Sequence, residues 1–268
     1  MKIFKSAGRM TALFLHYFRF NLSAGMAYKV SFITQVLGMI LNDACFILFW
    51  LILFTRVGKD INGYLFRDVM FLWSLTACGF GLAMVFAGNN PHISRIIYSG
   101  ELDVYLLQPK PILPNLLGAR MSVSGWGDLL YGLTLFLFTQ QLTPVNVLLY
   151  ILFTLLLALL FISLRVFYHS LTFFLGNSED FAQLVTEMSI NFGLYPGSIF
   201  KGPVVWLLHT LLPTAFMVYL PVRIFRNFDL RLLLFVLLGD LVIMLVACAA
   251  FYLGLRAYES GNRMGTRM

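Results

Sequence analysis

Residues 99–120 read SGELDVYLLQPKPILPNLLGAR. The stretch opens with two carboxylates, Glu101 and Asp103, closes on Arg120, and carries prolines at positions 109, 111 and 114. It lies between long apolar runs in a chain that is 60% hydrophobic. Charged groups are costly in hydrocarbon, and proline breaks a helix by removing a backbone donor and crowding the preceding turn. The stretch therefore reads as a connection at a membrane surface, and the runs on either side of it as spans.

Composition bounds the rest. Charged residues make up 12% of the chain, about half the usual share, and the mean hydropathy is +0.84. Apolar runs of about 20 residues are long enough to cross a bilayer as helices. The fold class expected is an all-α, polytopic integral membrane protein. The net charge of +7 is explained by basic anchoring loops on one side of the membrane, so no nucleic-acid partner is expected. Cys45, Cys78 and Cys248 fall inside apolar runs with no paired spacing, which suits inert buried thiols rather than disulfides or metal ligands.

The first 28 residues begin basic, as a leader peptide would, but His16 and Arg19 interrupt the apolar part. At about 100° per residue, Lys2, Lys5, Arg9, His16 and Arg19 share one arc and Ile3, Phe4, Ala7, Met10, Phe14, Tyr17 and Phe18 the opposite one. Residues 1–28 thus read as an amphipathic helix in the membrane interface, with membrane lipids as its partner. The remainder, 29–268, reads as one transmembrane domain. Clear spans are expected at 30–54, 66–88, 113–139, 145–169 and 232–256. The run 180–197 is a weaker span, containing Glu187, Asn191 and Pro196, and 203–222 is apolar but broken by Pro203, Pro213 and Pro221.

Two topologies follow. If 203–222 is a re-entrant helical hairpin, the chain has six spans and both termini on one side. If it crosses fully, there are seven. In the six-span reading twelve Lys and Arg residues fall on the side of the termini and of the 89–112 connection, against seven on the other. The positive-inside rule makes the first side cytoplasmic. The seven-span reading exchanges Arg256, Arg263 and Arg267 for Arg223, Arg226 and Arg231, so charge alone does not separate the two. The prolines favour six, because broken helix at membrane depth is tolerated where protein covers it.

No catalytic constellation is visible, and neither a catalytic residue nor a metal site is expected. His16, His92, His169 and His209 have no ligand spacing, and no Gly-x-Ser-x-Gly occurs. The Gly58-Lys59 pair is followed by Asp60, where a phosphate-binding loop needs Ser or Thr. Energy must come from an ion gradient or from a partner. Asp43, Asp128, Glu187 and Asp240 lie in or near spans and would serve an ion relay, or be satisfied against neighbouring helices. A partner would need a surface. The connection from Asn89 supplies one: Asn90 can cap and Pro91 can open a short helix that Gly100 ends, before the acidic, proline-stopped stretch. Its plainer reading is a solvated loop.

At these residues the chain resembles the type 2 ATP-binding-cassette (ABC) export permeases, in particular the subfamily of about 260-residue membrane subunits that work with a separate ATPase. The stretch SGELDVYLLQPKPILPNLLGAR, the later run NFGLYPGSIFKGPVVWLLHTLLPTAFMVYLPVRIF at 191–225 and the ending GLRAYESGNR at 254–263 carry the resemblance. It implies six spans, an amphipathic helix before the first and a re-entrant hairpin before the last. It implies a second permease subunit, identical or a paired paralogue, and ABC ATPase subunits that bind ATP and magnesium, with no cofactor in this chain.

The resemblance also assigns residues. Within the coupling loop 89–112, the segment Asn90, Pro91, His92 and Arg95 would form the ATPase-coupling helix, with Glu101 and Asp103 seating it. The substrate pathway would lie between two subunits, with Asn42, Asp43, Phe46, Phe80, Met84 and Asn191 as candidates from the first, second and fifth spans. An aromatic and methionine-rich wall suits an amphipathic or hydrophobic cargo, such as a drug, a lipid or a lipid-linked compound. The expectation is an exporter subunit of the bacterial plasma (inner) membrane. The alternatives are an ATPase-independent secondary transporter or channel, and a lipid-modifying membrane enzyme, against which the scattered histidines argue.

Overall fold

The computed structural model describes the backbone of residues 2–58, 60–61 and 63–259, and the side chains from residue 12 on apart from residue 57. The side chains of Lys2, Lys5 and Arg9, and the whole of Arg263 and Arg267, lie outside the described residues. The described chain is helical, with one isolated bridge between Ile61 and Tyr64 and no sheet. In order come α1 (Lys2–Met26), α2 (Lys29–Val57) and α3 (Phe66–Phe86). A 3₁₀ turn (Asn90–His92) leads into α4 (Ile93–Tyr98), α5 (Leu102–Leu106), α6 (Ile112–Gly118) and α7 (Gly125–Thr139). Then follow α8 (Pro144–Ser170), α9 (Thr172–Leu175), α10 (Glu179–Gly193), α11 (Pro203–His209), α12 (Leu220–Arg226) and α13 (Leu230–Arg256).

Among the described residues four helices are long and apolar enough to cross a membrane: Lys29–Arg56, Phe66–Phe86, Pro144–Leu175 and Leu230–Arg256. The chain is a multi-pass membrane protein. Two of the four are capped by the side chain of the residue before them. Thr143 caps α8 by accepting from the Asn146 amide at 3.2 Å, with Pro144 in the first turn. Asp229 caps α13, accepting from the Arg231 amide at 2.9 Å.

The expected span 113–139 is two helices, α6 and α7, parted at 119–124. The break has a partner that hydropathy does not register. The Ser122 amide donates to the Met84 carbonyl at 3.0 Å, satisfying one of the carbonyls that the end of α3 leaves open. The run 180–197 contains α10, whose 15 residues extend about 22 Å, short of a hydrocarbon core of about 30 Å. The run 203–222 is not one helix. α11 ends at His209, a turn over 210–214 follows, and a π-helical turn (Ala215–Tyr219) leads into α12. That turn is held by protein. Thr214 is fully buried and its hydroxyl donates to the Ser189 carbonyl of α10 at 3.3 Å, while the Tyr168 hydroxyl of α8 donates to the Leu211 carbonyl.

Helix α3 is the centre of the bundle. It packs on α7 through glycines: a Cβ at Gly81 would stand 2.6 Å from the Gly125 carbonyl, and one at Gly132 would stand 2.6 Å from the Cys78 amide nitrogen. Small residues let membrane helices approach this closely, and polar side chains then bridge them. Here the Ser74 hydroxyl donates to the Gly132 carbonyl at 2.7 Å and meets the Tyr150 hydroxyl of α8 at 3.0 Å. Three helices are tied at one buried point.

Candidate functional site

Two regions carry the residues singled out in the sequence. The first is the loop end of the bundle. The expected N-cap moves by one residue: Asn89 precedes the 3₁₀ turn, Pro91 falls within its first turn, and neither Asn89 nor Asn90 makes a side-chain cap. Asn89 instead ties the loop to α6, its Nδ2 donating to the Leu116 carbonyl at 2.8 Å. Asn90 is 1% exposed and its side-chain amide has no hydrogen-bond partner. It therefore faces the protein rather than a partner.

Helix α4 is amphipathic at short range. Ile93, Ile96 and Ile97 are buried and join Ala87, Leu102, Leu116, Val166 and Phe251 in a second apolar core. The polar residue on that buried side is matched. The Ser94 hydroxyl lies 2.7 Å from Nδ1 of His169 on α8 and accepts from the Thr172 hydroxyl at 2.9 Å. Gly100, at φ +75, ends α4. What remains outside is a strip at three-residue spacing: Arg95, Tyr98, Glu101, Val104 and Leu107 are all exposed. Pro91, His92 and Asp103 are half-buried beside it. Burial, followed by the charges of Arg95 and Arg120, holds the His92 imidazole below its ordinary pKa. Of the six expected coupling residues, Arg95 and Glu101 stand fully on the surface. Tyr98, Val104 and Leu107 are exposed with them, and sequence reasoning did not single them out.

The second region is the α3 face between α2 and α10. Phe46 of α2 stacks on Trp73 with ring centroids 5.1 Å apart, and Trp50 meets Tyr195 edge-on at 5.7 Å. The Trp73 indole donates to the Leu194 carbonyl at 3.2 Å, fixing the end of α10 against α3. About two and three turns further along α3, Phe80 and Met84 are half-buried. Asn191 is exposed and lines an apolar recess of about 430 Å³ with Met188, Phe192, Tyr195, Ile199 and Phe200. Asn42 is exposed on α2. Asp43 is not on this face. It is buried, and its carboxyl meets that of Asp128 on α7. The fold thus aligns Phe46, Phe80 and Met84 along α3, sets Asn191 on the flanking helix, and turns Asp43 into the α2–α7 seam.

Among the described residues no group of His, Cys, Asp and Glu has the makings of a metal site. The family model for the ABC-2 family transporter protein matches residues 40–262. No curated protein and no solved structure matches the chain. The match covers the bundle from α2 to the end of α13 and beyond, including the loop-end strip and the α3 face, and on this evidence the chain belongs to the ABC-2 family of membrane transporters.

Proposed function

We propose that the chain is the permease subunit of an ATP-driven exporter, moved by a separate ATPase that docks on the strip Arg95, Tyr98, Glu101, Val104 and Leu107. The observation that carries this is the contrast between the two sides of one short element. Its back is held by Ile93, Ile96 and Ile97 in the apolar core and by Ser94 against His169, while its front is exposed and mixes charge with apolar groups. An element seated this firmly passes a push to α8 rather than yielding to it. Two permease subunits, identical or paired, would enclose the pathway along α3, and an amphipathic or hydrophobic cargo would leave the cytoplasm between them. Nucleotide would drive the change through its different affinity for the two states.

The topology proposed with it has six spans, a re-entrant hairpin over 203–222, and both termini and the strip on the cytoplasmic side of the plasma membrane. The test is co-purification. The lone chain should not hydrolyse ATP, the complex should, and Arg95→Glu should weaken ATPase docking by about tenfold or more while leaving the fold intact. Hydrolysis by the lone chain, or wild-type docking by Arg95→Glu together with Glu101→Ala, would refute the reading. One observation favours the ion-coupled alternative, the Asp43–Asp128 carboxyl pair inside the bundle. Transport that follows an imposed proton gradient without nucleotide would decide for it.

A further inference from the structure

Helix α8 carries a guanidinium that the fold does not use. Arg165 is 5% exposed, and its Nε has no hydrogen-bond partner. Among the described residues no carboxylate lies within ion-pair distance of it. Arg165 lies over Phe80 of α3, whose ring centroid is 5.7 Å from the guanidinium carbon. Phe80 is itself propped edge-on by Phe161, one turn before Arg165, at 5.6 Å. Phe161 and Arg165 therefore both point at the α3 face described above. The carboxylate whose field reaches Arg165 is Glu187 on α10, and that carboxylate accepts from Gln183 Nε2 at 2.7 Å instead.

A guanidinium is costly to take out of water unless it is paired and hydrogen-bonded. An arginine near a helix end ordinarily avoids the cost by extending its head to the interface, which the burial of Arg165 excludes. A structural role would fill its five donors with carbonyls or carboxylates. An unfilled buried donor in a membrane helix is instead the signature of a group awaiting a ligand. Positive charge predominates in the surroundings: Arg95, Arg120 and Arg165 all act on His92, with Glu179 opposing them. Phe80 itself is half-buried.

We propose that Arg165, supported by Phe80 and opposed by Glu187, is the recognition residue for the anionic headgroup of an amphiphile whose apolar tail lies against the half-buried Phe80. The chemistry recognised is a phosphate or carboxylate oxyanion on a hydrocarbon tail. Guanidinium binds both through paired N–H donors. Glu187 holds the empty site in check, and its repulsion is overcome when the headgroup reaches Arg165. This deepens the exporter reading and rests on it only for the direction of transport, because binding is measured without the ATPase.

The experiment uses the full chain in lipid nanodiscs and three dodecyl probes with one tail and different heads: dodecyl phosphate, dodecanoate and dodecyltrimethylammonium. Binding is read as quenching of tryptophan fluorescence. Both anions should bind the wild type at least about tenfold more tightly than the cation, the phosphate and carboxylate arms separating the two sources of the oxyanion. Arg165→Gln should abolish that preference, and Arg165→Lys should restore part of it. Glu187→Gln should tighten anion binding by about threefold or more, an effect that a merely structural arginine would not produce. Equal binding of anions and cation to the wild type would overturn the proposal, as would an unchanged preference in Arg165→Gln. If Arg165→Gln fails to fold, the headgroup series and Glu187→Gln decide alone: no gain in Glu187→Gln would then overturn it.

Discussion

Glu101 and Asp103 stand two residues apart in the sequence and read there as a pair, but their surroundings divide them. Glu101 is exposed on the docking strip, whereas Asp103 is half-buried in the first turn of α5, where a carboxylate is favoured by the helix N-terminus. Glu101→Ala should lower ATPase-coupled transport while leaving the melting temperature within error, as is usual for surface positions. Asp103→Ala should cost about 1 kcal/mol of stability, visible as a lower melting temperature before any effect on docking. The measurement is thermal unfolding of each purified variant beside the ATPase activity of its complex. His92 adds a pH dependence to the same loop. Its imidazole holds its proton less firmly when folded than when unfolded, through burial first and then Arg95 and Arg120. Below about pH 6.5 the unfolded chain therefore binds more protons than the folded one. Stability should fall on acidification through that value and level off below the folded pKa. His92→Gln should flatten the melting temperature between pH 5.5 and 7.5, and an unaltered slope would remove His92 as its source.

Elements are where glycine decides. Gly132 and Gly38 both sit inside membrane helices, yet a Cβ at Gly132 would stand 2.6 Å from the backbone of Cys78, while one at Gly38 would meet nothing within 4 Å. Gly132→Ala must separate α7 from α3, at a cost of about 1–3 kcal/mol from overpacking, and would disturb the Ser74–Tyr150 bridge beside it. Gly38→Ala should be neutral or stabilise α2 by about 0.5–1 kcal/mol, since alanine is the better helix former. Unfolding of the two variants in mild detergent, followed by circular dichroism, should move in opposite directions. Nothing in the residues next to either glycine distinguishes them, and the difference appears only when α3 is laid against α7. The same holds for the break at 119–124, where the deciding bond runs from Ser122 to Met84 across two helices. By contrast, α2, α3, α8 and α13 are legible in the sequence because length and apolarity alone define them. Phe46, Phe80 and Met84 are candidates from span position alone, and the fold sets all three along α3. Arg165 is not among them. In sequence it is one more basic residue near a span end, and only the packing of α8 on α3 turns it toward Phe80. The burial of Asp43 is hidden in the sequence for the mirror reason, since its neighbours Asn42 and Phe46 are exposed while its own side of α2 faces α7.

On the scale of the whole molecule, charge counting cannot separate six spans from seven, because the basic triplets that change sides are equal in number. Packing supplies what charge lacks. Arg226, at the end of α12, pairs with Asp68 at 2.8 Å and lies over the Tyr64 ring at 4.4 Å, so the α12–α13 connection stands beside the α2–α3 connection. Ala247 and Phe251, near the end of α13, pack with Ile93 and Ile96 of the loop end, at the opposite end of α3. Meanwhile α10 begins near Thr172, which meets Ser178 at 2.7 Å, and finishes where Leu194 receives the Trp73 indole. The segment from 194 to 226 thus starts and finishes toward the same end of the bundle, which supports a hairpin that enters and returns. Cysteine labelling tests this directly. In a background with Cys45, Cys78 and Cys248 replaced, Asp60→Cys and Asn227→Cys should react with an impermeant maleimide in intact cells. Glu101→Cys and Arg263→Cys should react only after the membrane is opened, because the proposed six-span topology puts the strip and the C-terminus on the basic, cytoplasmic side. A full crossing by 203–222 would reverse two of the four, protecting Asn227→Cys and exposing Arg263→Cys. That outcome would also move the end of α13 away from the strip, and with it the apolar seat on which the proposed role of α4 as a lever for an ATPase depends.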